Sequence, residues 1–243
     1  MRRIIVAATA LVGTAALTSC TVLPQLPPDL PQSQPAAAIV TPSPSPAADA
    51  VVDGFNAAQH AAVRIRSRKC DAFTVGTGFM LDAHTIVTNR HVVEDATTIT
   101  LSTYDGTEYQ ASGSVIAQIA DLALVFVDED LEFAASLATE GPALGESLDV
   151  VGYPLGGPLS TLTGPFQGEV PDSLGEERDD VDLVGVSAEH GNSGSAVVNA
   201  AGDVVGVLYA TGENGESFAV TLESLTRFLA DESLQLSKLA DCG

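Results

Sequence analysis

The chain has 243 residues, with 32 acidic and 10 basic side chains and a formal charge of −22. Such an excess of negative charge argues against nucleic acid and anionic lipid headgroups as partners. It describes a well-solvated surface and leaves the fold open.

The first elements are targeting features. Met1-Arg2-Arg3 is a basic start, Ile4 to Leu17 is apolar with small residues, and Leu17-Thr18-Ser19-Cys20 follows at once. This is the build of a secretory signal peptide, too short for a spanning helix. Its end is similar to a bacterial lipobox, so residues 1–19 are expected to be removed and Cys20 to carry lipid. Residues 20–50 hold eight prolines between Pro24 and Pro46, among Gln, Ser and Ala. Proline removes backbone donors and favours extended chain, so the segment reads as a tether with a reach of about 3 Å per residue. The expected location is outside the cytoplasm, on the membrane through lipid on Cys20, as a monomer.

Residues 51–243 read as one all-β domain. Runs rich in Val, Ile, Leu and Thr are separated by Gly, Pro, Asn and Asp. The predicted strands are 61–66, 76–81, 85–88, 97–102, 114–118, 122–127, 148–152, 181–186, 195–199, 204–209 and 217–220. A helix from Leu222 to Leu229 would put Leu222, Leu225, Phe228 and Leu229 on one face. This number of short strands fits two consecutive six-stranded antiparallel β-barrels, with a break near residues 140–147. The acidic cluster Glu176, Glu177, Asp179, Asp180 and Asp182 reads as an exposed loop without a calcium-ligand pattern. Arg64, Arg66, Arg68 and Lys69 read as outward residues of the first strand.

Three short stretches carry chemistry, in chain order: Thr88-Asn89-Arg90-His91-Val92-Val93, Asp121-Leu122-Ala123-Leu124-Val125, and Gly191-Asn192-Ser193-Gly194-Ser195. A serine hydroxyl needs a base within reach, and the base needs an orienting carboxylate. Ser193 is the candidate nucleophile, His91 the base and Asp121 the orienter. Backbone N–H groups of Gly191 and Ser193 would receive the oxyanion, with glycine at 191 leaving no Cβ in the way. A Gly-x-Ser-x-Gly elbow is absent, and the order His, Asp, Ser differs from that of α/β-hydrolases. His60, His84 and His190 have no metal-ligand spacing. No cofactor or metal is expected.

With these stretches, Gly76-Thr77-Gly78-Phe79 and Ser217-Phe218-Ala219-Val220 make roughly residues 60–230 similar to trypsin-like, chymotrypsin-fold serine proteases. Within that family the chain resembles actinobacterial membrane-anchored periplasmic members, here with a lipoprotein signal instead of spanning helices. The resemblance implies peptide-bond hydrolysis on peptide or protein substrates through an acyl-enzyme. It departs from the usual Ser-Gly-Gly-Pro by reading Ser193-Gly194-Ser195-Ala196. By family alignment Ser187 forms the floor of the specificity pocket and Ala188 lies beside it, with His190, Tyr209, Ala210 and Thr211 at the rim. No aspartate stands at 187, and Leu208 replaces the pocket histidine of glutamyl endopeptidases. Small or medium apolar P1 side chains are therefore expected. A silent binding module of the same fold and an esterase with the same triad are the alternatives.

An odd cysteine count in an exported chain leaves one thiol to explain. With Cys20 lipidated, Cys70 and Cys242 remain as a pair that an oxidising compartment would join. Two buried free thiols are the alternative.

Overall fold

The computed structural model describes residues 53–172, 174–175, 179–212 and 214–237. The expected signal peptide, the expected lipidation site Cys20, the expected tether and Cys242 all lie outside them. The described residues belong to one compact unit, Ala47–Gly243.

A short helix α1 (Ala57–Ala61) leads in, closed by a capping box in which Asn56 and Gln59 each accept the other's backbone N–H at 2.9 Å. Strands β1 (Ala62–Lys69), β2 (Phe73–Met80), β3 (Thr85–Thr88), β4 (Ala96–Ser102), β5 (Glu108–Gln110), β6 (Gly113–Ala117) and β7 (Ala123–Phe126) follow, with one helical turn α2 (Arg90–Val93) after β3. The second half holds β8 (Ser147–Gly152), β9 (Ser160–Pro171), β10 (Asp180–Val184), β11 (Ala196–Val198), β12 (Val204–Thr211) and β13 (Ser217–Thr221). It closes with α3 (Leu222–Ala230) and β14 (Gln235–Ser237).

The second half is a closed six-stranded barrel, in the order β10-β13-β12-β11-β8-β9. The first half differs from the expected closed barrel. It is an eight-stranded antiparallel sheet, β14-β6-β7-β3-β2-β1-β4-β5, with free ends. Closure would need β5 to pair with β6. The edge of β6 is taken instead by β14, which pairs Gln235 with Ala117 and Ser237 with Val115. The link between halves spans 127–146. It enters the second half before the expected break, since Leu137 bridges Val204.

Period-two burial builds the strands. On β1, Val63, Ile65 and Ser67 are buried while Arg66 is exposed. Arg64 corrects the outward reading: it is half-buried, stacks over the Tyr153 ring and donates to Gly156 O at 3.2 Å. One buried cluster joins the two halves, with Phe79, Val87 and Leu122 from the first against Val151, Val204 and Phe228 from the second. Helix α3 buries Leu222, Leu225 and Phe228, and half-buries Leu229, on the expected face. Thr221 caps it by accepting from Ser224 N. Cys70 is disulfide-bonded.

The acidic cluster is not wholly an exposed loop. Asp182 lies in β10, 3% exposed. Burial, and then the nearby Glu169 carboxylate, push its carboxyl from 3.8 up to about 7. A raised acid favours the folded state when protonated. That contribution is complete below about pH 4 and is lost as pH rises through about 7. We expect Asp182→Asn to match the wild type near pH 4. At pH 8 it should be more stable by about 2–4 kcal/mol, read as denaturant midpoints across that range.

Candidate active site

The first sheet positions the base and its carboxylate. Thr88 on β3 pairs with Ala123 on β7, so the residues after β3 and before β7 lie side by side. Asn89 is fully buried and donates from Nδ2 to Asp121 O at 2.8 Å. Val92 and Val93 anchor the α2 turn in the core and leave the His91 side chain 42% exposed. Asp121, 1% exposed, grips His91 twice. Its Oδ1 accepts His91 N–H at 2.9 Å, and its Oδ2 lies 2.5 Å from His91 Nδ1. A carboxylate there holds the proton on Nδ1 and leaves Nε2 as the free base.

Ser193 and His91 line one cleft of about 650 Å³, with Leu155, Ala188, Glu189, His190 and Leu208 to Thr211. No hydrogen bond joins Ser193 Oγ to His91 among the described residues, and such bonds in unliganded sites often tighten only with substrate. The turn carrying Ser193 is held from several sides. Asn192 N–H donates to Glu189 O, Gly194 N–H to Leu208 O and Ser195 N–H to Asn192 O. Among the described residues, the intervening N–H groups of Gly191 and Ser193 donate to nothing. Two free donors in a fixed turn beside a nucleophile are what an oxyanion requires.

The orientation of the Gly191 donor has a local cause. Leu155 N–H donates to His190 O at 2.5 Å. In a trans peptide the carbonyl and the following N–H point in opposite directions. The Gly191 N–H is therefore turned away from the 154–156 turn. Leu155 stands at φ 55°, an uncommon value for a residue with a side chain, and is 71% exposed. Gly191 has φ +93°, and a Cβ there would lie 2.6 Å from Tyr153 O and 2.7 Å from Leu155 N.

Thr77, which sequence reasoning did not single out, ties the serine turn to the 153–156 segment. It is fully buried. Its N–H donates to Ser193 O at 2.8 Å, its hydroxyl to Gly191 O at 2.7 Å, and Tyr153 N–H donates to that hydroxyl at 2.9 Å. Its flanking glycines allow this approach: a Cβ on Gly76 would meet Val92 at 2.7 Å and Ser193 O at 3.1 Å. The Gly-Thr-Gly pattern was the available signal. Thr77→Val would leave a buried N–H and a buried carbonyl without their partner. We expect a loss of about 2–3 kcal/mol in stability and a kcat at least about tenfold lower with KM little changed. Thermal midpoints and steady-state kinetics check both.

Ala188, Tyr209, Ala210 and Thr211 line the cleft, and His190, also in its lining, is exposed. Thr211 Oγ1 donates to Ala188 O at 2.9 Å, and Ser217 Oγ donates to Val186 O at 2.7 Å, which fixes that wall. Ser187 is not brought in. It is exposed, its Cβ 3.8 Å from where a Cβ on Gly215 would sit, because the backbone that sends Ala188 inward sends its neighbour out. Leu208, 2% exposed, stands in the wall in its place. Glu189, absent from the expected set, adds a carboxylate to the rim. Ser195, the departure beside the nucleophile, is fully buried against Gly152, where a Cβ would fall 2.0 Å from its Oγ. Among the described residues no group of three or more His, Cys, Asp or Glu side chains is placed to hold a metal ion.

A closed β-barrel packed on a second antiparallel sheet, with a serine turn facing a histidine–aspartate pair, defines a trypsin-like serine protease fold. The chain belongs to the family described as trypsin-like peptidase domain, whose model matches residues 76–207. It is 32% identical over 165 residues to rat serine protease HTR4, covering 64% of this chain and 33% of that one. To zebrafish serine protease HTRA1A it is 28% identical over 181 residues, covering 72% and 38%. The chain thus spans about a third of the length of these curated relatives. Among solved structures it is similar to an inactive-form serine-to-alanine mutant of Rv3671c from Mycobacterium tuberculosis. That match has 25% identity and a TM-score of 0.64, and covers 72% of this chain and 87% of that one. The active form of the Rv3671c protease matches with a TM-score of 0.66 at 21% identity, over 76% and 85% of the two chains, a likeness of fold.

Proposed function

We propose that the protein is a lipid-anchored, extracytoplasmic serine endopeptidase. The double grip of Asp121 on His91, opposite Ser193 in one cleft, carries this reading. His91 Nε2 takes the proton from Ser193 Oγ as the oxygen bonds to the scissile carbonyl carbon. The carbonyl oxygen becomes an oxyanion against the Gly191 and Ser193 N–H groups. His91 then gives its proton to the leaving amine as the C–N bond breaks, and water, activated by His91, releases the acyl group. Asp121 holds the ring and stabilises the imidazolium.

Fluorophosphonate labelling tests the reaction class. The folded wild type should form one adduct at Ser193, and Ser193→Ala should form none. A blank wild type would leave a binding module of the same fold. Comparison of matched ester and amide substrates separates a peptidase from an esterase.

The cleft wall of Ala188, Leu208 and Ala210 supports small or medium apolar P1 side chains. A peptide-library digest should cleave mainly after such residues, and dominant cleavage after Arg, Lys or Glu would overturn the preference. The signal sequence supports lipid on Cys20, and the bonded state of Cys70 supports Cys242 as its partner. Mass spectrometry of the mature protein should show a chain starting at acylated Cys20 and a Cys70–Cys242 peptide pair.

A further inference from the structure

A second cavity, of about 700 Å³, lies where the 138–142 link, β9, β10 and the start of α3 meet. It has no part in the chemistry above. Six carboxylates line it: Glu140 from the link, Glu169 from β9, Asp179 just before β10, Asp180 and Asp182 from β10, and Glu223 from α3. Arg227 is the basic side chain in the lining, and it is already paired with Asp179.

The deepest of these acids is the informative one. Asp182 is 97% removed from solvent, since 3% of its surface is exposed, yet lines the cavity. Among the described residues its carboxyl makes no hydrogen bond or ion pair. An unpartnered buried carboxyl is a standing cost to the fold. At the start of α3, Ser224 N–H donates to Thr221 Oγ1 and Ser224 Oγ donates to Asp179, so both Ser224 donors are spent away from Asp182.

The arrangement selects a ligand class. No three of these carboxylates are placed to share a metal ion. They are spread around a space within the usual size of ligand sites, about 300–1,000 Å³. A long cation with several separated charges matches that spread, and a compact ion does not. We propose that this cavity binds an extended organic polycation, the ammonium groups of a polyamine or of a lysine-rich peptide, with Asp182 as its innermost carboxylate. The inference stands apart from the protease reading and does not depend on activity.

Calorimetric titration of the full chain at pH 8 and low salt tests it, with spermidine in one arm and acetyl-trilysine amide in the other. At that pH Asp182 is ionised, and Glu140, Glu169, Asp179, Asp180 and Glu223 face it with the same sign. One-to-one binding is expected in at least one arm, and the tighter arm identifies the source. Asp182→Asn and, independently, Glu169→Gln should each weaken it about tenfold. Glu108→Gln, on the distant β5 edge, should leave it unchanged. Absence of saturable binding in both arms would overturn the proposal. So would equal binding by wild type and both cavity variants, which is diffuse attraction to a chain of charge −22. Stoichiometric calcium binding that Asp182→Asn abolishes would also overturn it, by assigning the site to a metal. Should Asp182→Asn fail to fold, Glu169→Gln gives the same readout.

Discussion

Ser193→Ala should lower kcat by about 10⁴–10⁶-fold, and His91→Ala by a similar factor, with the double variant no worse than either alone. The reason is that the two side chains act as one unit. Without His91 Nε2, the Ser193 hydroxyl keeps its proton at neutral pH. Without Ser193 Oγ, the base has nothing to activate except water. What remains is catalysis by the Gly191 and Ser193 donors and by binding. Asp121→Asn tests a different function. An amide could still accept the His91 backbone N–H, but the atom 2.5 Å from His91 Nδ1 could become a donor. The ring would then present N–H rather than a lone pair to Ser193. A loss of about 10⁴-fold in kcat at neutral pH is expected, with the fold kept. Additive losses for Ser193→Ala and His91→Ala would mean that the two do not act on one proton. Steady-state kinetics with a chromogenic peptide, alongside thermal midpoints for each variant, makes the measurement.

The candidate catalytic side chains could be proposed from sequence because each sits in a short local pattern in a fixed order along the chain. What brings them together was not legible. Nothing in Asp121-Leu122-Ala123 says that β7 pairs with β3, and only that pairing sets the carboxylate beside His91. Thr77 read only as part of the predicted strand 76–81, since its hydroxyl is engaged by residues 76 and 114 positions away. Strand β9 was missed for a related reason. Gly164, Pro165, Gly168 and Pro171 read as breakers. In the barrel Gly164 is required, because a Cβ there would lie 2.3 Å from Gly185 O, and Gly168 adopts φ +121° beside the register shift against β10. Local propensity pointed to a loop, and barrel closure overrode it. The displaced Ser187 shows the limit of alignment by counting: six residues back from Ser193 gives a position in sequence but not which way that side chain faces. Asp182 was hidden among exposed neighbours, because a run of like charges does not reveal that one of its members lies on the inner face of a strand.

Gly191→Ala should lower kcat by about 10²–10³-fold and move KM little. The backbone at 191 sits at φ +93°, which an L side chain adopts with strain. The added methyl would also lie 2.6–2.9 Å from Tyr153 O, Leu155 N and Gly156 N. Both effects press the turn away from the 154–156 loop. Moving it breaks the Leu155 N–H bond to His190 O, and that bond sets the direction of the Gly191 N–H. A rotated His190–Gly191 peptide would present a carbonyl where the donor stood, which opposes the developing negative charge instead of stabilising it. On the proposed reading substrate side chains would contact the Ala188–Leu208 wall, which the substitution leaves untouched, so ground-state binding would be kept and the loss would fall on the transition state. The fluorophosphonate adduct at Ser193 should still form, but more slowly, since phosphonylation uses the same donors. A Gly191→Ala variant with unchanged kcat would show that the oxyanion is held elsewhere. One that loses stability and adduct formation together would place Gly191 in the fold rather than in the chemistry.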